Sequence, residues 1–493
     1  MNKQEKCITY IHNLFETYST NKDMQEDIEN VLLNIEKYIH YKNMIENASK
    51  NDIEKLSKNI ELIQCRNKFT SSFLMHNNYF YLQNLNAYYY YDGFKFTLIN
   101  EDNIQHKLLS TMNTTQNLQP CKYRTKNNII KEIRSKSLFN AIPETETLQF
   151  IMKNLKGMVF NTKDEAKYFL TIIGDYILKK SKGLNYFINP KAKYFLHYLS
   201  IYCIKYFGIY GISDYFRTKY QDHKYENIRL VNTDNEIEEE NDNYENFFKQ
   251  NIITFVCVCC HYSNRYKSAD EFVVKCKKTM KDYIKFVCSK NKKQILEIFE
   301  KNYIVNSESE SDVINQKNLM FLWKQYLSNF KIPNVIYMNT LNENCQTLLE
   351  WKCENNSFKN KKSELIDSIN EFLSFWNTHI KIENSELNNY DITELLDLYK
   401  KETSKEAIDN KLLEKIIKYY LPNYYHGDKI IYNIISPLWE KRKHVFEVIK
   451  QYEGNEEITV YEIYEHYTKE CDDKGVMTSN KRYFEKCYTF LNQ

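Results

Sequence analysis

Glycine and proline are scarce in this chain, and that scarcity constrains its fold more than any other feature. Its 493 residues include only 9 Gly and 6 Pro. Because these residues form tight turns and end helices, so few of them favour long helices over turn-rich sandwiches or barrels. Hydrophobic residues make up 42% of the chain, which is enough for real cores, and the length allows two to four domains. We therefore expect a mainly α, multi-helical fold.

Apolar residues recur at helical spacing through most of the sequence. Residues 1–68 predict two or three helices, and residues 101–160 return to helix after an aromatic segment. The segment 246–305 is also interpreted as helical, with a strand as the alternative over residues 252–259. After residue 312 one helical pattern follows another.

The aromatic segment predicts a small β-hairpin near residues 86–99. Asp92 and Gly93 lie there between two runs with strand preference. Because both positions of a two-residue hairpin turn need positive φ, an Asp-Gly pair is a strong signal for such a turn. We expect the neighbouring tyrosines to pack on helices, and stacking on nucleic-acid bases is the alternative interpretation.

Two acidic stretches without apolar periodicity, residues 232–245 and 306–312, are interpreted as linkers. They predict an N-terminal helical domain with the hairpin over residues 1–235 and a middle Cys-rich segment over 246–305. A helical domain would follow over 313–435. Residues 436–493 would form a C-terminal module of the helix-turn-helix or winged-helix type.

The charge balance and the cysteines restrict the cellular setting. Lys and Arg number 68 against 65 Asp and Glu, so nucleic-acid binding would have to depend on local patches. The 13 cysteines are scattered, and the first residues lack the apolar run of a secretory signal, so we expect free thiols in a reducing compartment. No run of 18 apolar residues occurs, so we expect no membrane partner.

Most familiar catalytic signatures are absent from the sequence. It contains no phosphate-binding G-x-x-x-x-G-K-[ST] or G-x-G-x-x-G, no H-E-x-x-H and no Asp-x-Asp pair on an apolar strand. This argues against ordinary kinases, helicases, metalloproteases and two-metal nucleotidyl transferases. We therefore expect no catalytic residue and no cofactor, although an enzyme without a recognisable motif stays an alternative.

Two local features could carry site chemistry. Cys257, Cys259, Cys260 and His261 are nearly consecutive, but zinc sites usually use paired knuckles, and the sequence leaves zinc and a thiol-lined core both open. Asp175 lies in an apolar helix, where burial would raise its pKa. Pairing with Lys179 one turn later is the simpler interpretation.

Basic clusters are the remaining signal, because cations bind phosphates and aromatic rings stack on unpaired bases. A solvated lysine-rich surface is the alternative for each of them. The first cluster contains Lys122, Arg124, Lys126, Lys131, Arg134 and Lys136. The second contains Arg217, Lys219, His223, Lys224 and Arg229, interleaved with Tyr215, Phe216, Tyr220 and Tyr225.

The third cluster lies in the last of three predicted C-terminal helices, after a short turn that contains Gly475. Thr478 or Ser479 is the expected N-cap of this helix. Lys481, Arg482 and Lys486 are expected on its outward face. Two helices joined by a short turn, the second of them basic, are typical of a helix-turn-helix, although three-helix protein-binding modules share the pattern. The expected buried stripe contains Tyr483, Phe484, Cys487, Phe490 and Leu491.

Several stretches resemble long helical proteins of nucleocytoplasmic large DNA viruses, the mimivirus-like giant viruses. They include `YYYYDGFKFTLINEDNI`, `IPETETLQFIMKNL`, `AKYFLTIIGDYILKK`, `FRTKYQDHKYENIRL`, `NLMFLWKQYL` with `IPNVIY`, and `SNKRYFEKC`, in order across most of the chain. This resemblance implies a viral protein of the host cytoplasm, in the viral factory, that acts in genome replication or gene expression.

A second resemblance covers less of the chain. The tyrosine hairpin with `INEDNIQHKLLSTM` looks like the helical linker of poxvirus-type primase-helicases, and `VYEIYEHYTKECDDKGVMTSNKRYFEKC` is similar to their winged-helix tail. No ATP-binding motif lies between the two stretches, and no primase carboxylate pair precedes them. This resemblance therefore implies a non-catalytic relative that keeps binding parts only.

The sequence thus predicts a non-enzymatic viral nucleic-acid-binding protein. Lys481, Arg482 and Lys486 would contact phosphates, and the first two clusters would extend the contact. The alternative is a helical scaffold that binds other proteins of the viral transcription, translation or assembly machinery. In that case the Trp- and Phe-bearing helices at 319–330 and 363–382 would supply binding grooves.

Overall fold

The protein is mainly α-helical, as the composition predicts. The computed structural model describes residues 2–46, 50–113, 116–180, 183–234, 241–309, 311–403, 408–427, 429–452 and 458–491. The helices in these ranges are α1 (Lys3–Thr17), α2 (Lys22–Glu46), α3 (Lys50–His76), α4 (Glu101–Asn113), α5 (Lys122–Ser135), α6 (Thr145–Met158), α7 (Lys163–Ile177), α8 (Lys193–Phe207), α9 (Ile212–Tyr215), α10 (Asn241–Tyr266), α11 (Ala269–Lys275), α12 (Lys278–Ile284), α13 (Lys292–Tyr303), α14 (Gln316–Phe330), α15 (Leu341–Leu348), α16 (Glu364–His379), α17 (Ile392–Thr403), α18 (Asn410–Tyr420), α19 (Lys441–Gln451), α20 (Val460–Lys474) and α21 (Lys481–Leu491).

The strands are short and form small sheets. They are β1 (Asn78–Leu82), β2 (Ala87–Tyr91), β3 (Phe96–Ile99), β4 (Asn185–Ile188), β5 (Phe216–Arg217), β6 (Ile228–Val231), β7 (Val305–Asn306), β8 (Val313–Asn315), β9 (Cys353–Glu354), β10 (Ser357–Lys359), β11 (Lys361–Lys362), β12 (Lys381–Ile382), β13 (Asn389–Asp391), β14 (Ile430–Tyr432) and β15 (Ile434–Ile435).

The chain divides into two compact units, and the four domains expected from the sequence stay a prediction. Unit 1 contains Met1–Arg217 and Val231–Ile284, and unit 2 contains Thr218–Leu230 and Lys285–Gln493. Residues 235–240 of the first predicted linker and residue 310 of the second lie outside the described residues. The middle segment belongs mostly to unit 1, because α10 packs on α7 and α8. None of the described helices is both long and apolar enough to cross a membrane.

The core of unit 1 depends on the close approach of α7 and α10. Helix α7 begins with a capping box in which Thr162 and Glu165 satisfy each other's backbone N–H groups. Gly174 faces α10 so closely that a Cβ atom there would lie 2.1 Å from the carbonyl oxygen of Cys259. Residues 252–259 are buried in α10, so the strand alternative for this stretch is wrong. Because this stretch is buried on all sides, the spacing of its apolar residues does not distinguish a helix from a strand.

The predicted hairpin is present as part of a three-stranded antiparallel sheet, β1-β2-β3. Tyr91 pairs with Phe96, so the loop has four residues, and the predicted two-residue turn is wrong. Asp92 explains the longer loop, because its carboxylate accepts hydrogen bonds from the backbone N–H groups of Phe94 and Lys95 at 2.7 and 2.6 Å. Strand β1 was missed by the sequence analysis.

The tyrosines of β2 pack on both faces of this sheet. Tyr88 belongs to an apolar cluster with α3, α4 and α5, whereas Tyr89 and Tyr91 belong to the main core of unit 1. Alternate residues of a strand face opposite sides, so one tyrosine-rich strand fills two clusters. All three rings are buried, which confirms packing and leaves these rings no face for nucleic-acid bases.

The aromatic helices of unit 2 form its core. Trp323 of α14 is fully buried, and its ring lies 5.2 Å from Phe299 and from Tyr326 between centroids. Phe372 of α16 packs edge-on against Tyr399 of α17. The grooves that a scaffold was expected to form from these two helices are therefore filled by the protein's own side chains.

We predict that Gly174→Ala destabilises unit 1. The added methyl group would meet backbone rather than a flexible side chain, so α7 and α10 would have to move apart. The expected loss is about 1–3 kcal/mol of unfolding free energy, measured by urea denaturation. Gly157→Ala in α6 is the matched control, because nothing lies within 4 Å of its added Cβ, and it should gain up to about 1 kcal/mol. Equal stability of the two variants would contradict the close helix contact.

Candidate nucleic-acid interface

Three helices close the chain and pack around one apolar cluster, as the sequence predicts. Val445 of α19, Tyr467 of α20 and Phe484 of α21 are fully buried in this cluster. Helix α20 begins at a capping box formed by Thr459 and Glu462. It ends at Gly475, whose φ of 62° is in the left-handed region that favours glycine. The predicted turn is therefore present in the predicted place.

The cap of α21 differs from the expectation. The side-chain oxygen of Asn480 accepts a hydrogen bond from the backbone N–H of Tyr483 at 2.9 Å, so Asn480 is the N-cap. Thr478 and Ser479 precede it. Ser479 is fully buried, and its N–H donates to the phenol oxygen of Tyr467 at 3.0 Å. The side chain at the predicted cap position is thus enclosed between helices.

The buried stripe of α21 is confirmed at Tyr483, Phe484 and Cys487. Phe490 was expected there too, but its side chain is 53% exposed. It lies at the end of the helix, where it stacks on Phe446 of α19 with ring centroids 6.3 Å apart. A single neighbouring ring covers only one face of Phe490, which explains its exposure.

Lys481, Arg482 and Lys486 lie exposed on the outward face of α21, as predicted. The Lys481 ammonium is 3.9 Å from the Glu485 carboxylate, and Lys486 donates to the backbone carbonyl of Glu386 at 3.0 Å. Arg482 forms no ion pair with any described residue. Because exposed ion pairs contribute little, the pair on Lys481 leaves its charge available to a ligand.

The first basic cluster lies mainly on α5, whose Ile129, Ile130 and Ile133 are buried. Arg124 and Lys131 are exposed and seven residues apart, so they share one face of the helix. These two cations have the exposure that phosphate binding needs.

Other cations of the first cluster have partners within unit 1. Arg134 forms an ion pair with Glu101 at 2.9 Å and donates to the phenol oxygen of Tyr88 at 2.5 Å. Lys122 and Lys126 are half-buried and donate to the side-chain oxygens of Asn113 and Gln105. These contacts join α5 to α4 and to β2, so the cluster has a structural role that the sequence did not reveal.

The second cluster loses Arg229 as a candidate phosphate contact. Its side chain is buried, and Nη1 donates to the carbonyl oxygens of Glu226 at 2.9 Å and Ile228 at 3.0 Å. Lys219 and Lys224 are exposed. Arg217 is half-buried, and its Nε has no hydrogen-bond partner among the described residues.

Three of the four aromatic rings of the second cluster, those of Tyr215, Phe216 and Tyr225, pack inside the protein. Phe216 is buried in the core of unit 1, and Tyr215 packs against that core. In unit 2, the Tyr225 phenol donates to the carbonyl of Val335 at 2.7 Å, and burial raises the pKa of Tyr225. In this stretch of sequence the lysines therefore face solvent, whereas these three aromatic residues pack inside the protein.

The cysteine cluster lies on α10. Cys257, Cys259 and Cys260 are fully buried, and burial raises the pKa of each thiol. His261 follows them, and burial lowers its pKa. No group of three or more His, Cys, Asp or Glu residues in the described ranges has an arrangement that could hold a metal ion. Buried neutral thiols are poor metal ligands because the thiolate is the binding form.

Asp175 has different partners from the one expected. Its carboxylate accepts hydrogen bonds from the Ser263 hydroxyl at 2.5 Å and from the backbone N–H of Ala269 at 2.6 Å, and no contact with Lys179 is observed. Burial raises the pKa of Asp175, and these hydrogen bonds oppose that shift. The Asp175 carboxylate of α7 therefore links this helix to α10 and to the first residue of α11, which is a structural role.

A cavity of about 630 Å³ in unit 2 contains basic residues that the sequence analysis missed. Lys381, Arg442, Lys443 and Lys450 line it together with the buried Lys441. The run Lys441-Arg442-Lys443 is visible in the sequence, but no local pattern separates it from the rest of the first predicted C-terminal helix. The grouping with Lys381 depends on the fold and had no sequence signal.

Lys441 lies at the wall of this cavity, and its side chain is 2% exposed. Its ammonium forms an ion pair with Glu394 at 2.6 Å and donates to the backbone carbonyl of Asn389 at 3.2 Å. It also lies 3.7 Å from the ring centroid of Tyr483. Burial lowers the pKa of Lys441, and the charge of Glu394 opposes that shift. The ammonium is therefore held by α17, β13 and α21 together.

Comparisons with known proteins give no further guide to this site. Neither a scan against protein-family models nor searches of curated proteins and of solved structures found a match.

We predict that Lys441→Met destabilises unit 2 by about 3–5 kcal/mol, because it leaves the Glu394 carboxylate buried without its counter-ion. Adding Glu394→Gln should restore part of the loss, because the buried charge is gone. The amide oxygen can accept from only one of the two backbone N–H groups, those of Asp391 and Asn480, that the carboxylate binds. Urea denaturation of the single and double variants measures both effects. A Lys441→Met variant as stable as the wild type would show that the ion pair is not needed, and a double variant no more stable than the single one would show that the loss does not come from the buried charge.

Proposed function

We propose that this chain is a non-enzymatic nucleic-acid-binding protein whose C-terminal three-helix module contacts backbone phosphates. One observation carries the proposal: α21 presents Lys481, Arg482 and Lys486 on one exposed face while Tyr483 and Phe484 dock the opposite face. A helix fixed in this way holds its cations at defined positions. Phosphate contacts of this kind set affinity and register but carry no sequence information.

The order of the elements supports a helix-turn-helix or winged-helix interpretation. Helix α21 follows α20 after a short segment that begins at Gly475. In such modules the second helix reaches the major groove with its N-terminal residues. Lys481 and Arg482 are the first two residues of α21. The partial dipole charge at this end of the helix adds to their attraction for phosphates.

The biological setting of the proposal depends on the resemblance to proteins of giant DNA viruses and to poxvirus-type primase-helicases. It supports a role in viral genome replication or gene expression, in a viral factory of the host cytoplasm. In this role the exposed Arg124 and Lys131 of unit 1, with Lys219 and Lys224 of unit 2, supply further phosphate contacts. The buried Arg229 is not among them.

We predict that replacing Lys481, Arg482 and Lys486 together with Gln weakens DNA or RNA binding. Each phosphate contact releases counterions from the nucleic acid when the protein binds. Losing three such contacts should therefore make the slope of log affinity against log salt concentration shallower by about 2–3. Filter binding over a salt series measures both quantities, with melting temperature as a check on folding. The matched control replaces Lys153, Lys156 and Lys193 of unit 1, which are also exposed and change the net charge equally. Unchanged affinity in the α21 variant, or an equal loss in the control, would refute this assignment.

A second candidate function, a protein-interaction scaffold, is favoured by the N-terminal helices. Helix α1 has no buried residue, and α2 exposes a row of apolar side chains. Val31, Ile35 and Tyr38 of that row are 57%, 48% and 67% exposed. Their spacing of four and three residues is typical of a helix–helix seam. Two copies of one seam are self-complementary around a two-fold axis, so a second copy of this chain is the partner that fits.

We predict that the wild-type protein self-associates in a concentration-dependent manner through this seam. Replacing Val31, Ile35 and Tyr38 with Ser should give a monomer, since the interface loses its apolar contact area. Sedimentation equilibrium after nuclease treatment measures the mass without nucleic-acid bridging. A wild-type protein that stays monomeric at every concentration would contradict this function.

A further inference from the structure

The cavity in unit 2 has the size and access of a small-ligand site. Its volume of about 630 Å³ lies within the range of pockets that bury most of a nucleotide-sized ligand. Lys381 and Glu383, with residues 434–437, form one part of its lining, and one face of α19 forms another. Tyr483 and Lys441 contribute buried side chains to the wall. The site is thus built from several elements of one compact unit.

The charges of this cavity favour an anionic ligand. Five cations line it, namely Lys381, Lys441, Arg442, Lys443 and Lys450, against the three carboxylates Glu383, Glu440 and Glu447. Two of the cations are already neutralised, because Lys441 pairs with Glu394 and Lys443 pairs with Glu440 at 3.1 Å, so three cations remain against the two carboxylates Glu383 and Glu447. Lys381, Arg442 and Lys450 form no ion pair with any described residue. Clefts with an excess of one charge concentrate ligands of the opposite charge.

The start of α19 adds to the positive potential. The helix is 11 residues long, and no side chain caps its first turn. Arg442 and Lys443 belong to that first turn and line the cavity. The unpaired N–H groups of a helix start attract phosphates and carboxylates.

An aromatic ring next to a cation narrows the choice of anion. Phe446 lines the cavity and is half-buried. The Arg442 guanidinium lies 5.2 Å from the centroid of that ring. Rings that stack on bases and cations that bind phosphates are the two parts of base-tolerant nucleotide recognition.

We propose that this cavity binds a nucleotide unit, with its phosphate on Arg442 and Lys450 and its base against Phe446. The preference for a nucleotide over other anions rests on the proposed nucleic-acid function. The same chemistry is present in a free mononucleotide and in one unit of a single strand. The buried Lys441 positions the wall through Glu394 and Asn389 and does not need to touch the ligand.

Three probes test the site in the full-length protein: AMP, inorganic phosphate and a short oligo(dT), each titrated by calorimetry. Replacing Arg442 and Lys450 together with Gln should lower the affinity for AMP or oligo(dT) about tenfold or more, since hydrogen bonds to charged groups contribute about 1.5–3 kcal/mol each. Replacing Lys401 and Lys469 with Gln is the matched control, because both are exposed in unit 2 and neither lines the cavity. Melting temperatures verify that each variant is folded.

Phe446→Leu separates nucleotide binding from general anion binding. It keeps an apolar side chain but removes the ring, so affinity for AMP or oligo(dT) should fall about fivefold or more while that for inorganic phosphate stays unchanged. If AMP binds and oligo(dT) does not, the cavity is a mononucleotide site and does not hold a unit of the strand. If AMP binds and the filter-binding assay detects no DNA or RNA binding, the proposed nucleic-acid function fails alone. If only oligo(dT) binds and the Arg442/Lys450 variant weakens it, the ligand is a unit of the strand. Affinities that the Arg442/Lys450 variant leaves unchanged, or no binding of AMP and oligo(dT), would overturn the cavity site.

Discussion

The ion pair between Lys441 and Glu394 determines the geometry of the basic part of unit 2. Two charges removed from water gain little net stability from each other, since their desolvation offsets most of the attraction. Their effect is on position instead. Glu394 Oε1 also accepts a hydrogen bond, at 3.3 Å, from the backbone N–H of Asn480, and Asn480 is the N-cap of α21. A single carboxylate therefore contacts the first residue of α19 and the N-cap of α21, so both helix starts are held relative to α17.

That arrangement explains how a nearly neutral chain can present a basic surface. The formal net charge is only +3, so acidic and basic residues must be separated in space for any patch to form. In the C-terminal module the separation is partly achieved by burial. Lys441 is neutralised inside, whereas its neighbour Arg442 faces the cavity without an acidic partner among the described residues. The function that we propose depends on this distribution of cations between the interior and the surface.

Properties set by short-range pattern could be predicted from the sequence. The helical class follows from the scarcity of Gly and Pro, and the buried stripe of α21 follows from spacing at Tyr483, Phe484 and Cys487. The hairpin position follows from Asp92 and Gly93, although the loop length does not, because the Asp92 side chain can cap a longer loop. Local sequence thus predicts where the hairpin lies but not the length of its loop.

Properties that depend on contacts between distant residues could not be predicted in this way. Asp175 bonds to Ser263 and Ala269, which are 88 and 94 residues away, so its neighbour Lys179 was the wrong partner to expect. Arg229 belonged to a basic run but is buried against its own backbone. A charge run shows which side chains carry charge, and only the fold shows which of them face solvent.

The same reasoning connects the surface of α21 with the cavity next to α19. Tyr483 lines the cavity, donates to the carbonyl of Leu387 at 2.9 Å and lies over the Lys441 ammonium. Its neighbours Lys481 and Arg482 are exposed on the opposite side of the same helical turn. A ligand that moved Tyr483 would therefore act on the start of α21 directly. Tyr483 therefore belongs both to the wall of the cavity and to the first turn of α21, so the two surfaces share one buried side chain.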